Sequence, residues 1–270
     1  MRPCCRVILL MFAVMLAPSP NALLAHGNVI PPSNVLVEGE ELTYNVRYGF
    51  IDLGQVRIKI TNKRVTPSYL AYDGKALIDS YNGLPFVNLH ATFESVIDSS
   101  VFSRSFLGKT KDGDHWEFAR YLFDYGRERI VTEVGYRDTS IEKRDTLALD
   151  GPCHDGLSLF FYARHQLYAG KAMNIPAVVK EKKVNTYIDF QGKRTTVEVD
   201  AIPYPVDVIE FQGTADFVGI FGLTGDFEGW FSNDDARVPI LAKMKVIIGS
   251  VTLELMSWKR PGWSPPRGES

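Results

Sequence analysis

Most of the chain alternates apolar and polar residues with a period of two, the pattern of a β-strand with one buried face. Leu42, Tyr44, Val46 and Tyr48 would share one face of the first strand, which a turn around Ile51–Gly54 would join to a second. The other strand-like runs are Ser68–Asp79, Ala91–Ser99, Phe102–Leu107, Trp116–Tyr125, Arg129–Gly135, Ile141–Leu149, Val184–Phe190, Arg194–Asp200, Val206–Gln212, Gly225–Ser232, Val238–Val246 and Ser250–Trp258.

One stretch has helical spacing instead. Asp155 can cap its first turn, apolar residues recur from Leu157 to Tyr168, and Gly170 can end it. About thirteen short strands are more than one flat sheet holds without curling or splitting. The pattern therefore predicts a mainly β fold: a curved antiparallel sheet forming a partly closed barrel, or a sandwich, with one short helix.

The two ends of the chain lack the alternating strand pattern of the middle. Residues 1–25 combine Arg2 and Arg6 with a short apolar run and a small residue at Ala25, which is typical of a signal peptide. We expect residues 26–37 to form an extended lead-in and 38–260 a single β-rich domain. The proline-rich tail 261–270 is predicted to be disordered.

Composition narrows the class of protein. The formal net charge is −2, and acidic and basic residues are mixed along the chain. The sequence therefore predicts no basic patch of the kind that binds nucleic acid. No stretch after the signal peptide has transmembrane length. Cys153 is the only cysteine beyond residue 25, so the mature chain cannot form an intramolecular disulfide. No nucleotide or dinucleotide fingerprint is present, and no cofactor is expected.

Three motifs carry a resemblance. They are Gly39–Tyr44 leading into the first hairpin, Asp155 with Ser158 and Arg164 on the predicted helix, and the run Trp230–Pro239. Together they resemble the bacterial domain of unknown function 3108 family, over roughly residues 38–258. The resemblance implies an exported, β-rich envelope protein, and it transfers no catalytic residues.

The run Trp230–Pro239 has a structural interpretation. Asp234 and Asp235 favour a turn, Pro239 limits the start of the next strand, and Arg237 is close enough to either aspartate for a planar ion pair. The alternative is a calcium loop made by the two aspartates, although the spaced oxygen ligands of an EF-hand are missing.

Two groups of residues could form a catalytic or a metal site. Cys153-His154-Asp155 could be a nucleophile, base and orienter, but adjacent side chains point in different directions and Asp155 is better used as the helix cap. His26 would become the mature N-terminus and could chelate copper together with one of His90, His115 or His165. Neither interpretation is preferred, and no metal site is predicted.

Aromatic residues cluster with glycines near the C-terminal end of the domain. Core packing is the ordinary interpretation, and the sharper one is a wall of an apolar pocket inside a partly closed barrel. The candidate pocket residues are Phe217, Phe221, Phe227, Trp230 and Phe231.

The sequence thus favours an exported periplasmic or envelope protein without enzymatic activity, which binds an apolar envelope ligand or assists envelope assembly with an envelope protein. A hydrolase acting on an envelope polymer is the alternative, with carboxylates from Glu94, Asp98, Asp112, Asp114 and Asp124. A third possibility is a structural module that docks partners through a strand edge.

Overall fold

The computed structural model describes residues 34–67, 69–84, 87–137, 140–217, 224–246 and 249–269. These residues form fourteen strands and one α-helix, α1 (Gly156–Gln166). The strands are β1 (Glu41–Tyr48), β2 (Ile51–Val65), β3 (Leu70–Ser80), β4 (His90–Asp98), β5 (Ser103–Asp112), β6 (His115–Asp124), β7 (Arg129–Tyr136), β8 (Ser140–Ala148), β9 (Ala172–Val179), β10 (Lys182–Val199), β11 (Ile202–Ala215), β12 (Gly225–Ser232), β13 (Pro239–Lys245) and β14 (Ser250–Lys259).

All the strands join one antiparallel sheet in the order β8-β7-β6-β5-β4-β3-β2-β1-β14-β13-β12-β11-β10-β9. Consecutive strands therefore pair with each other, except β8 and β9, and β1 pairs with β14 in the middle of the sheet. The sheet is not closed, because β8 and β9 are its two edges. Helix α1 connects these edges.

The sheet curls around α1. Phe161 and Arg164 of the helix are fully buried, and α1 contacts β3, β4 and β9. A helix enclosed in this way by strands from both halves of the sheet requires strong curvature, as expected for a sheet of this size. The predicted mainly β fold, with a curved antiparallel sheet in a partly closed barrel and one helix, is confirmed.

The long β10–β11 hairpin adds a second layer. Its pairing is irregular between Asp189 and Lys193, and its far half packs against the outer side of β12 and β13. Apolar side chains from both layers form this contact, namely Val199, Ile202, Val206, Val208, Trp230, Val238 and Ile240. At the tip, Asp200 accepts a hydrogen bond from Arg47 and donates its backbone N–H to Glu254.

Two predictions about strands were wrong. The runs Val184–Phe190 and Arg194–Asp200, predicted as separate strands, belong to the single strand β10, because the Gln191-Gly192 pair, which has the composition of a turn, stays within its irregular part. Strand β9 was missed because Pro176 interrupts its pattern. Pro176 is tolerated on this edge strand, where its carbonyl accepts the N–H of His154 from the segment before α1.

The described part of the tail is held in place, in contrast to the predicted disorder of 261–270. Arg267 forms an antiparallel bridge with Val206, and the Gly268 N–H donates to the Pro205 carbonyl at 2.8 Å. The Trp263 indole donates to Asp234 at 2.7 Å. At the other end, Val35 and Leu36 of the predicted lead-in are buried in the core. The signal peptide prediction lies outside the described residues.

Candidate ligand-binding cavity

A cavity of about 900 Å³ lies between the concave face of the sheet and α1. Its volume is within the range of small-molecule and cofactor sites. Most of its wall is apolar and comes from strands on both sides of the sheet and from the helix. Wall residues include Val56, Ile58, Ile78, Phe93, Phe106, Leu157, Phe160, Phe211, Phe227, Phe231, Leu241 and Met244.

Strand alternation decides which of the candidate aromatics reach the cavity. Phe217, Phe227 and Phe231 line it, whereas Trp230 points to the opposite face of β12, where the Lys243 ammonium lies 5.3 Å from its ring. Trp230 is therefore core of the second layer, not pocket wall. Phe221 lies outside the described residues.

Glycines make room for the aromatic wall. A Cβ at Gly229 would lie 2.5 Å from the Phe211 ring, and one at Gly213 would lie 2.3 Å from the Phe227 ring. Side chains at these positions would displace the rings, so the glycines allow Phe211 and Phe227 to lie flat along the sheet. This explains why glycine and aromatic residues alternate in this part of the sequence.

The first turn of α1 is fixed by a buried polar network. Asp155 accepts the N–H groups of Leu157 and Ser158 as predicted for a cap, at 2.7 and 2.9 Å. Its other oxygen accepts the hydroxyls of Ser95 on β4 and Ser103 on β5 at 2.6 and 2.7 Å. Burial raises the pKa of Asp155, and these hydrogen bonds oppose the rise.

The last turn of α1 is held by a buried ion pair. The guanidinium of Arg164 donates to both oxygens of Glu40 at 2.6 and 3.0 Å, and also to the carbonyls of Ala236 and Arg237. Arg260 bonds Glu40 as well. Burial alone would raise the pKa of Glu40, but the two guanidinium groups outweigh it and hold the pKa below its usual value.

The predicted ion pair of Arg237 with an aspartate is wrong. Asp234 is used to shape the turn, because its Oδ1 accepts from Ser232 Oγ and from the N–H groups of Ala236 and Arg237. The Arg237 guanidinium instead donates to the carbonyl of His165 at 2.7 Å at the end of α1 and lies 4.9 Å from the Tyr168 ring. Asp235 is exposed, and Pro239 begins β13, as predicted.

The candidate triad does not assemble in the described structure. Cys153 is buried, and burial raises the pKa of its thiol to about 11. His154 is also buried, and desolvation lowers its pKa to about 3. Its Nδ1 lies 3.4 Å from Ser158 Oγ, while Asp155 is bonded by serine hydroxyls and backbone N–H groups. A closed site with a protonated thiol gives no nucleophile.

The histidines of the copper hypothesis lie on separate elements. His90 bonds Asp79, His115 lies 3.9 Å from Asp112, and His165 packs beside Tyr162. His26 lies outside the described residues. Asp112, His115 and Glu117 place one ligand atom each within 4.8 Å of one another, in an exposed cluster.

The candidate carboxylates of the hydrolase hypothesis are mostly engaged elsewhere. Glu94 pairs with Lys75 at 2.8 Å, Asp98 with Arg104, and Asp124 with Arg127 and Arg129. Glu94 and Asp114 do share a polar groove of about 600 Å³ on the outer face of the sheet.

The three motifs of the sequence meet at α1. The Asp155–Arg164 motif forms the helix and its cap. Glu40 binds Arg164 of the helix, and Arg237 binds the carbonyl of His165 near its end. The family model described as "Protein of unknown function (DUF3108)" matches residues 43–256, most of the chain. The chain belongs to this family. No curated protein matches the DUF3108 chain by sequence.

Solved structures share the architecture. A β-barrel-like protein of domain of unknown function DUF1849 from Brucella abortus is 13 % identical, with a TM-score of 0.56 over 83 % of this chain and 98 % of that one. A Bacteroides fragilis protein with a YmcC-like fold is 7 % identical, with a TM-score of 0.37 over 83 % and 97 % of the two chains. The first likeness supports the fold of the DUF3108 chain. Among the described residues, no helix has the length and apolarity needed to cross a bilayer.

Proposed function

We propose that this DUF3108 protein is exported to the cell envelope and binds an apolar ligand in its cavity without catalysing a reaction. The observation that carries the proposal is the cavity of about 900 Å³ with its aromatic and aliphatic wall. Apolar surface of this extent, left unfilled by side chains inside a curved sheet, is typical of barrels that hold small ligands.

The buried chemistry supports binding over catalysis. Cys153 and His154 are enclosed and uncharged near neutral pH, and the polar network at Asp155 is used to anchor α1. The helix thereby becomes a fixed wall of the cavity, so the site needs little ordering when a ligand enters.

The binding test uses N-phenyl-1-naphthylamine, an apolar dye that fluoresces in dry sites. The wild-type mature chain should bind the dye at micromolar concentration, and Ala242→Phe, which fills the wall, should weaken binding roughly tenfold. The matched control is Lys243→Phe, because the neighbouring residue points to the outer face. Equal affinity in wild type and Ala242→Phe, or no binding by wild type, would refute the proposal.

Export is tested separately. The mature protein, recovered from the periplasmic fraction, should have the mass of a chain that begins at His26. An intact chain that keeps residues 1–25 and remains in the cytoplasm would contradict this part of the proposal.

A further inference from the structure

Two hydroxyl groups of the cavity wall have no hydrogen-bond partner among the described residues. They are Tyr44 Oη on β1 and Thr186 Oγ1 on β10, and both residues are only 3 % exposed. A buried polar group without a partner is costly, and native structures leave few of them. Each hydroxyl can donate to a carbonyl oxygen. A purely hydrocarbon ligand would leave both unsatisfied.

The polar residues of the wall lie toward the two sheet edges. We define the rim as Glu117 on β6, Glu142 on β8, and Lys180 and Glu181 between β9 and β10. Glu117 shares the inward face of β6 with Tyr121, and Glu181 accepts the Tyr121 hydroxyl at 3.0 Å. Glu117 and Glu142 both act on Tyr136, whose pKa their charges raise.

The rim carries an excess of negative charge. Other charged residues that touch the cavity do not alter this, because Asp226 and Lys245 pair with each other and Glu228 lies on the outward face of β12 with Trp230. Three carboxylates then face one lysine at the rim. A bound anion would be repelled here, and a neutral or cationic group would be accepted.

We propose that the ligand is an acyl-chain amphiphile that has a carbonyl-bearing ester or amide linkage and a head group without negative charge. The chain fills the aromatic part of the cavity, the linkage accepts a hydrogen bond from the Thr186 or the Tyr44 hydroxyl, and the head lies at the rim. This inference rests on the proposed function and adds the chemical class of the ligand.

Four probes with matched twelve-carbon chains test the inference by titration calorimetry below their micelle concentrations, at low salt with EDTA. Lauroylcholine is a cationic ester, glycerol monolaurate a neutral ester, laurate an anion, and dodecyltrimethylammonium a cation without a carbonyl. Lauroylcholine and glycerol monolaurate should each bind roughly tenfold more tightly than laurate. Added salt should reduce the difference in affinity between lauroylcholine and laurate, because salt screens the charges at the rim.

Variants assign the effect to residues. The double variant Glu117→Gln with Glu142→Gln should reduce the difference in affinity between lauroylcholine and laurate. The control is the double variant Glu128→Gln with Glu198→Gln, at exposed positions outside the cavity wall. It should leave that difference in affinity unchanged. At least one of the variants Thr186→Val and Tyr44→Phe should weaken lauroylcholine binding several-fold and leave dodecyltrimethylammonium binding unchanged, a difference that a folding defect would not produce.

The outcomes separate this inference from the proposed function. Laurate binding as tightly as the esters, or unchanged ester affinity in Thr186→Val and Tyr44→Phe, would overturn the assigned ligand class while leaving an apolar site. If none of the probes binds, and the naphthylamine dye does not bind either, the proposed function itself fails.

Discussion

Arg164 places a positive charge where water does not reach, and the residue is tolerable there only because Glu40 neutralises it. The Arg164 side chain is 0 % exposed and that of Glu40 is 2 % exposed. Removing one partner of such a pair leaves an uncompensated buried charge and costs about 3–5 kcal/mol, whereas an exposed pair contributes about 0–1 kcal/mol.

Glu40→Gln should therefore lower the melting temperature by about 6–20 °C, because it leaves the guanidinium groups of Arg164 and Arg260 without their shared carboxylate, and about 1 kcal/mol shifts a domain of this size by roughly 2–4 °C. Lys75→Ala is the control, since its pair with Glu94 is exposed, and it should change the melting temperature little. Similar melting temperatures for the two variants in calorimetry would show that the buried pair is not what holds the helix.

His154 makes stability depend on pH between 7 and 5. Its pKa is about 3 in the folded protein against 6.5 for an ordinary histidine, so the unfolded chain takes up a proton first as the pH falls. Stability should drop by about 2 kcal/mol from pH 7 to pH 5 on this account, at about 1.4 kcal/mol per pH unit below 6.5.

Urea unfolding at pH 7 and pH 5 measures this loss. His154→Gln should remove most of it, whereas His115→Gln, at the exposed β5–β6 turn, should unfold with the wild-type difference between the two pH values. An unchanged difference in His154→Gln would mean that other groups carry the pH dependence.

At the residue scale, the sequence could identify participants but not pairs. Glu40, Arg164 and Arg237 all stand in motifs that were singled out, yet their partners are far away in the chain. Arg237 was predicted to pair with Asp234 or Asp235, but Asp234 is used by the backbone of its own turn and Asp235 is exposed. The hydroxyls of Tyr44 and Thr186 carry no sequence signal, because both residues fit an ordinary strand pattern.

At the element scale, the cavity depends on α1, because the first turn of the helix is fixed to β4 and β5 and its last turn to Glu40 and to the segment between β12 and β13. The last turn is closed by Arg237, whose guanidinium meets the His165 carbonyl. Arg237→Ala should cost about 1.5–3 kcal/mol, as for other hydrogen bonds to charged groups, and Arg237→Lys should restore part of this because an ammonium lacks the forked geometry.

Chemical denaturation of both variants measures that cost, with Arg127→Ala as the control because its side chain is 73 % exposed. A wild-type unfolding midpoint for Arg237→Ala, together with lost dye binding, would place Arg237 in the ligand site instead of in the frame of the helix.

The strands were largely predictable because period-two alternation survives wherever one face of the sheet is buried. The pattern failed where the chain departs from that rule. Pro176 broke the signal of edge strand β9, and Gly192 imitated a turn inside an irregular strand. The helix was found because its cap, apolar period and final glycine agree with one another.

At the scale of the whole molecule, an open sheet should be least stable at its edges. Strand β8 has one neighbour and is exposed along most of its length, whereas β1 is paired on both sides and mostly buried. Native-state hydrogen exchange should therefore show the β8 amides exchanging first and those of β1 last. Equal protection of β8 and β1 would indicate that something else covers this edge.

The order of the strands in the sheet could not be predicted from the sequence, because alternation gives each strand a buried face but not a partner. The joining of β1 to β14 brings opposite ends of the domain together.

The pairing of the first strand with the last also has a consequence for biosynthesis. Until β14 pairs with it, β1 has a neighbour on one side only, and its other edge is open. A chain that ends early, or is clipped before Ser250, would leave β1 and β13 as open edges in the middle of the sheet. Open edges recruit other strands and invite aggregation. The pairing of β14 with both strands therefore covers two edges that would otherwise recruit other chains.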